Sequence, residues 1–226
     1  MEEYLEKNLE YYNKGYEAEN VEGWVFRPFG RIFNQRLGIT GERGEKVLDF
    51  GCGSGASLRY LKSKGFNVYG VDISEVDINR AKSRMPDIRD NFQVIDPKPK
   101  SDQIFFGGEF DIVISIQTLY FLNKTDMNIV IDNLYNQLKK GGYIYVTMIS
   151  AKTYYYKHSV ESVDGLRKIN YDNGRIKYDN LYCQFYQSQE EVNKIFSIFK
   201  KLFEGYYAYD WGDGDEEHFT FVGQKI

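Results

Sequence analysis

The residues whose types and spacing point most directly to chemistry are an acid and three glycines. Asp49 is followed by Gly51, Gly53 and Gly55 in the run Val47-Leu48-Asp49-Phe50-Gly51-Cys52-Gly53-Ser54-Gly55. Glycines in such a run free the backbone to adopt φ > 0 and leave no side chain in the way. A ligand can therefore lie against the backbone at a helix N-terminus. An anion at this point would repel a pyrophosphate, but it suits a ligand that carries an ammonium group. A second acid, Asp72, follows the apolar run Val68-Tyr69-Gly70-Val71. A carboxylate at the end of a second strand can accept hydrogen bonds from both hydroxyls of a ribose. Its alternative use is as an N-cap for the segment Glu75 to Met85, a role that Ser74 can equally fill.

These residues need a strand, a tight turn and a helix start to hold them, and the pattern supplies all three. Val47 to Phe50 read as a short buried strand, the alternating glycines as the turn, and Ala56 to Leu61 take up helical spacing. The dinucleotide fingerprint Gly-x-Gly-x-x-Gly does not fit, because the third glycine, Gly55, comes one residue early and Ala56 fills the later place. Asp-x-Gly-x-Gly-x-Gly after an apolar strand resembles the first motif of the class I S-adenosylmethionine-dependent methyltransferases, of the small-molecule type.

Further motifs extend the resemblance through residues 47 to 150. Phe110-Asp111-Ile112-Val113-Ile114-Ser115 resembles the family's fourth strand, and Leu138-Lys139-Lys140-Gly141-Gly142 before the run Tyr143 to Ile149 resembles its approach to the fifth. The resemblance implies S-adenosylmethionine as cofactor and S-adenosylhomocysteine as product. Cofactor contacts would come from Asp49, Gly51, Cys52, Gly53, Gly55, Asp72, Ile73, Asp96, Ser115 and Gln117. Within that set Asp96 would meet the adenine amino group, while Ile73 and Ile95 flank the ring. It also implies an α/β fold, a Rossmann-like, seven-stranded, mostly parallel sheet with helices on both faces and an antiparallel last strand.

The expected organisation is a single domain. Residues 1–40 form a helical cap, 41–150 the cofactor-binding core, 151–186 a substrate-side insert and 187–226 a C-terminal helix and strand pair. The cap carries aromatic residues at helical spacing, and the resemblance implies that the cap and the insert fold over the acceptor, which gives Tyr12, Tyr16, Trp24 and Arg27 as acceptor-binding candidates, joined by Tyr154 of the insert. Tyr11 and Phe26 belong to the same group, and all of these rings would serve equally to pack the cap on the sheet. Tyr120, just beyond the fourth strand, is a catalytic candidate by resemblance. His158 is another, since an imidazole of ordinary pKa ~6.5 can take a proton from a hydroxyl. His218, at the start of the last strand, reads as structural. A capping box at Ser188 to Glu191 opens the last helix, Thr125-Asp126 caps an earlier one, and the strands Tyr206 to Trp211 and Phe219 to Gln224 flank a solvated acidic turn.

Composition removes several classes of function. At net charge −4, with no clustered basic stripe, the chain is a poor match for nucleic acid. Ser115-Ile116-Gln117-Thr118 also lacks the Asp/Asn-Pro-Pro-Tyr/Phe signature of enzymes that methylate amino groups of DNA bases. Two cysteines, one inside the glycine turn, make no disulfide framework. The acidic N-terminus is unlike a signal peptide and no apolar run reaches the ~18 residues of a membrane span, so a cytoplasmic protein without membrane contact is expected. No metal-ligand cluster is visible, and a monomer or homodimer is expected. Arg167, Arg175 and Lys177 near the insert suggest an acidic small acceptor. The expected reaction is O-methylation of a small polar molecule, such as a sugar, phosphorylated or phosphoramidate compound of bacterial surface-polysaccharide biosynthesis. The alternatives are N-methylation of a small amine and a non-catalytic module that binds S-adenosylmethionine.

Overall fold

The structure is a computed structural model, and it describes residues 2–15, 20–172, 174, 177–210, 212 and 214–226. Tyr16, Arg175 and Trp211, named above, lie outside the described residues. Strands β1 (Lys46–Phe50), β2 (Asn67–Asp72), β3 (Phe92–Val94), β4 (Phe110–Ser115), β5 (Leu138–Ile149), β9 (Lys200–Tyr209) and β10 (Glu216–Gln224) form a seven-stranded sheet. Its order is β3-β2-β1-β4-β5-β10-β9. The first five are parallel to one another and β10 runs antiparallel to both of its neighbours, as the expected fold class requires.

Alternation along the strands builds two cores, one on each face. Val47, Ile112, Ile114 and Tyr145 pack on one side against α4 (Ala56–Ser63), α5 (Glu75–Arg84) and the segment around α2 (Gly23–Pro28). Leu48, Val113, Ile144 and Val146 pack on the other against α6 (Lys124–Gln137) and α8 (Gln189–Ile195). Successive side chains of a strand point to opposite faces, so one apolar run feeds both layers. The cap is more continuous than expected: α2 passes into a π-helical stretch, Phe29–Asn34, and then α3 (Gln35–Leu37), which ends at Gly38 with φ +67°. The insert has a sheet of its own. A short helix α7 (Tyr154–Lys157) leads into its strands β6 (Ser159–Glu161), β7 (Arg167–Asp172) and β8 (Lys177–Cys183), which pair antiparallel.

Helix α1 (Glu3–Tyr12) is roofed onto these layers by polar contacts made far from it in sequence. Asn8 donates to the carbonyls of Phe121 and Tyr182 and accepts from Tyr182 N–H. The Tyr4 hydroxyl donates to the buried carboxylate of Asp126, which also accepts from Lys98 Nζ at 2.8 Å. Ser74 Oγ donates to the carbonyl of Tyr12. The cap of α6 is Asn123, whose side chain accepts from Asp126 N–H, in place of the expected Thr125-Asp126. Asp126 is thereby left free to bind α1 and the loop after β3.

Because Tyr4 is buried and Asp126 takes its hydroxyl, Asp126→Ala should destabilise the protein by about 2–4 kcal/mol, the cost of a buried donor without a partner plus a lost charged hydrogen bond. The exposed Asp132→Ala, on the same helix, should change stability by less than ~0.5 kcal/mol. Urea denaturation of the two variants checks the contrast.

Candidate functional site

The glycine turn adopts the backbone that its composition anticipates. Gly51, Gly53 and Gly55 have φ of +83°, +50° and +80°. They serve different ends, however. A Cβ on Gly51 would lie 2.2 Å from Thr118 Oγ1, so that glycine admits the segment after β4. A Cβ on Gly53 would meet nothing within 4 Å, and this glycine faces open space beside the strand ends. Gly55 does not line the cavity; a Cβ there would press on Met85 and Ala81, so it lets α5 approach the turn.

Asp72 and Asp49 end neighbouring strands on either side of this turn. Asp72 accepts from Gly53 N–H and Ser74 N–H, each at 2.8 Å, which fixes both carboxylate oxygens. Burial raises its pKa and those two bonds oppose the rise. Ser74 is the N-cap of α5, so the capping role falls to it and leaves Asp72 to the turn. Asp49 is 3 % exposed, and its Oδ1 has no hydrogen-bond partner. Burial, with the Asp72 carboxylate adding to it, pushes its pKa up to about 8. A buried, unpartnered carboxylate oxygen is costly unless something positively charged or hydrogen-bonding meets it.

Both acids open into one cavity of about 1380 Å³. Its first half is lined by Asp49, Gly51, Cys52, Gly53, Asp72, Ile73, Ile95, Asp96 and Gln117. Cys52 is buried against Gly70, where a Cβ would come within 2.7 Å of its sulfur. Asp96 is exposed at the rim, where it accepts from Lys98 N–H and lies 3.6 Å from Lys100. Gln117 sits at φ +53°, an uncommon conformation for this residue type, donating through its backbone to Thr147 Oγ1 and through Nε2 to the Tyr207 hydroxyl. Ser115 is a correction. It is fully buried, bonds the carbonyl of Phe50 and ties β4 to β1 without reaching the cavity.

The second half is aromatic. Tyr11, Tyr12, Trp24, Phe26 and Arg27 line it from the cap, and Tyr120 lines it from the turn after β4. Trp24 stacks on both Tyr207 and Tyr209, with centroids 4.7 and 5.5 Å away, and its carbonyl accepts from the Tyr145 hydroxyl. His158 is the second correction. It is exposed, packs on Tyr171 and does not line the cavity. Its position after α7 turns it outward, and we do not propose it as a base. Tyr154 is buried behind the wall against Tyr155 and Tyr171, while Tyr155 and Tyr178, bonded to each other at 3.1 Å, form the wall itself. Arg167 is spent elsewhere. It bonds Ser159, lies 3.6 Å from Glu161 and stacks on Tyr156.

Sequence reasoning missed Glu216, Tyr207 and Tyr209. All three line the cavity, because β10 begins at Glu216, earlier than expected, and its pairing with β9 brings Glu216 opposite Tyr209 and His218 opposite Tyr207. The alternation Tyr207-x-Tyr209 against Glu216-x-His218 was the available signal. His218 is buried as expected, with its pKa lowered by burial to about 3, and its Nε2 lies 3.3 Å from the Tyr120 hydroxyl. Burial raises the pKa of the Tyr120 phenol, so the phenol keeps its proton and pairs with a neutral imidazole. Among the described residues no group of His, Cys, Asp and Glu could hold a metal ion, and no helix is long and apolar enough to cross a membrane.

The chain is similar to known methyltransferases. An uncharacterized methyltransferase of Synechocystis is 33% identical over 100 residues, which is 44% of this chain and 44% of that protein. The ubiquinone biosynthesis O-methyltransferase of Pseudomonas aeruginosa is 28% identical over 131 residues, 55% of each chain. The chain thus spans about half the length of these curated relatives. Among solved structures, the magnesium protoporphyrin IX methyltransferase of Synechocystis, with bound S-adenosylmethionine, superposes with a TM-score of 0.60 at 15% identity, covering 100% of this chain and 99% of its own, a likeness of fold. The family described as "Methyltransferase domain" matches residues 21–196, most of the chain, and the protein belongs to that family.

Proposed function

We propose that this chain is an S-adenosylmethionine-dependent methyltransferase acting on a small molecule held in the aromatic half of its cavity. The observation that carries this reading is the continuity of the cavity. At about 1380 Å³ it exceeds the ~300–1,000 Å³ of a usual single-ligand pocket and has room for a cofactor and an acceptor side by side. The chain's own residues suit such a cofactor: the orphan Oδ1 of Asp49 for an ammonium group, Asp72 for the ribose hydroxyls, Ile73 and Ile95 for the faces of the adenine, and Asp96 at its edge. When bound, the cofactor supplies a methyl group made electrophilic by its sulfonium. The protein then has chiefly to orient the acceptor and exclude water. The cap does the second, with Trp24 closed flat on β9. Tyr120, immobilised by His218, presents a fixed hydroxyl to the acceptor half.

The lining supports a flat or aromatic acceptor over a phosphorylated sugar. Arg167 is engaged outside the cavity, and the lining cations Arg27 and Lys177 are both exposed. Ring faces dominate the rest of the wall, and they favour planar partners. A relative named for ubiquinone biosynthesis accords with that preference.

The test is ligand binding followed by turnover. S-adenosylmethionine or S-adenosylhomocysteine at a hundred times its dissociation constant should stabilise the protein by ~2.7 kcal/mol in a thermal shift, and Asp72→Ala should reduce the gain. A shift with nicotinamide or flavin cofactors in place of these would sink the reading.

Asp49 gives the binding a pH dependence of definite sign. Its native pKa of about 8 stands above the ~3.9 of an unfolded chain, so the free native protein holds a proton that the unfolded one releases. Stability of the free protein should accordingly fall as pH rises from about 4 to about 8. An ammonium ligand needs the carboxylate, and between about pH 5.5 and 7.5 its affinity should rise with pH by up to about tenfold per unit. Calorimetry of wild type and Asp49→Asn checks this; the variant should bind weakly and without that slope.

A further inference from the structure

The acceptor half of the cavity buries one charged side chain, and nothing in the sequence motifs accounts for it. Glu216 opens β10, on the same face of the strand as His218 and Thr220, and its side chain is 18% exposed. Across the hairpin it stands opposite Tyr209. Tyr120, Tyr155, Tyr178 and Tyr207 line the same space. Among the described residues its one ion-pairing neighbour within 4 Å is His218, whose Nδ1 is 3.9 Å from Glu216 Oε1, too long for a hydrogen bond.

His218 does not neutralise it. Burial holds the imidazole neutral, its Nε2 pairs with the Tyr120 hydroxyl at 3.3 Å, and its Nδ1 has no hydrogen-bond partner. Burial raises the pKa of Glu216, opposed by its bond with Tyr209. Among the described residues the pocket therefore presents a largely buried carboxylate without a cationic partner, walled by phenol rings. Such a carboxylate is stabilised most by a cation brought to it, and aromatic faces attract cations as well.

We propose that Glu216 is the anchor and proton acceptor for an amine, and that the methyl acceptor of this protein is a nitrogen that is protonated in solution. The inference rests on the methyltransferase reading above and narrows its acceptor. An ammonium nitrogen has no lone pair to offer. On transfer to Glu216 its N–H bond breaks, the electron pair stays on nitrogen as the nucleophilic lone pair, and the proton ends on a carboxylate oxygen. A carboxyl that already holds protons more tightly than usual makes this transfer less unfavourable. The surrounding Tyr120, Tyr155, Tyr178, Tyr207 and Tyr209 and the neutral His218 then remain unchanged in charge.

The test uses protein saturated with S-adenosylhomocysteine and three probes that share a ring and chain length: 2-phenylethylamine, 2-phenylethanol and phenylacetate. Calorimetry at pH 7 should show the amine binding at least about tenfold more tightly than the alcohol, with phenylacetate weakest. Glu216→Gln should erase the difference between amine and alcohol while leaving S-adenosylhomocysteine affinity unchanged. If that variant fails to fold, wild type alone decides, because the preference for the amine should decline as pH is lowered through the titration of Glu216; His218, at about 3, and the tyrosines keep their charge over that range. Asp49, pushed up to about 8 in the free protein, is held ionised by the ammonium group of S-adenosylhomocysteine, kept saturating at each pH. Equal affinity for amine and alcohol, a preference that survives Glu216→Gln, or one independent of pH overturns the proposal. Failure of S-adenosylhomocysteine to bind wild type overturns the methyltransferase reading itself, whereas its binding without an amine preference overturns the amine inference alone.

Discussion

Two carboxyl groups brought together at the ends of two parallel strands, one of them buried without a partner for its Oδ1, are the constraint on which this molecule is built. β1 and β2 pair in register, Asp49 opposite Gly70 and Phe50 opposite Val71, so Asp49 and Asp72 finish close to one another at the same sheet edge. One of them is satisfied by the turn, through Gly53 and Ser74, and the other is left with a bare oxygen. The fold can hold this arrangement because the remaining contacts around it are well made: Gly51 seats Thr118, Gly55 seats α5, and Gly70 seats Cys52. Strain of this kind persists where the surroundings over-determine it, and it points to a ligand.

Over that edge the chain folds parts drawn from all its length. The first helix is held by Asn8 and Asp126, the second by Trp24 on β9, and the insert contributes Tyr155 and Tyr178. Each contact is long-range in sequence, and most are polar or aromatic. That combination gives a closed, well-oriented space on a side of the sheet where the strand ends alone would leave an open groove.

The glycine-turn side of the cavity was legible in the sequence because its requirements are local. Asp49, the glycines and Asp72 stand within two strand-turn units whose glycine positions and apolar runs dictate their own geometry. The mostly parallel seven-stranded sheet was legible through the resemblance that the same motifs carry. Ser115 and Gly55 carry the motif yet serve packing, a distinction that spacing does not make, since both roles ask for a small residue. The acceptor side was much less legible. Which face Glu216 takes depends on where β10 begins, and starting the strand at Phe219 left that carboxylate in a turn. The two histidines show the same limit: His158 lies in the insert but points outward, while His218, within β10, sits under the catalytic candidate Tyr120. Register and alternation over the β9-β10 hairpin decide where Glu216 and His218 face, the end of α7 decides where His158 does, and neither is written in residue type.

The Asn8 contact has a second consequence, for association between chains. Its side-chain amide both donates to and accepts from the backbone of Tyr182, as a neighbouring strand would, so it occupies the outer hydrogen-bonding edge of β8. The main sheet treats its own edges in kindred fashion, with β3 only three residues long and β9 opening on Lys200 and Lys201. Short edges, lysines and a side chain that mimics a rung all deny a template to a stray strand. The helix that closes the pocket thus also keeps a tyrosine-rich antiparallel sheet from recruiting its own kind.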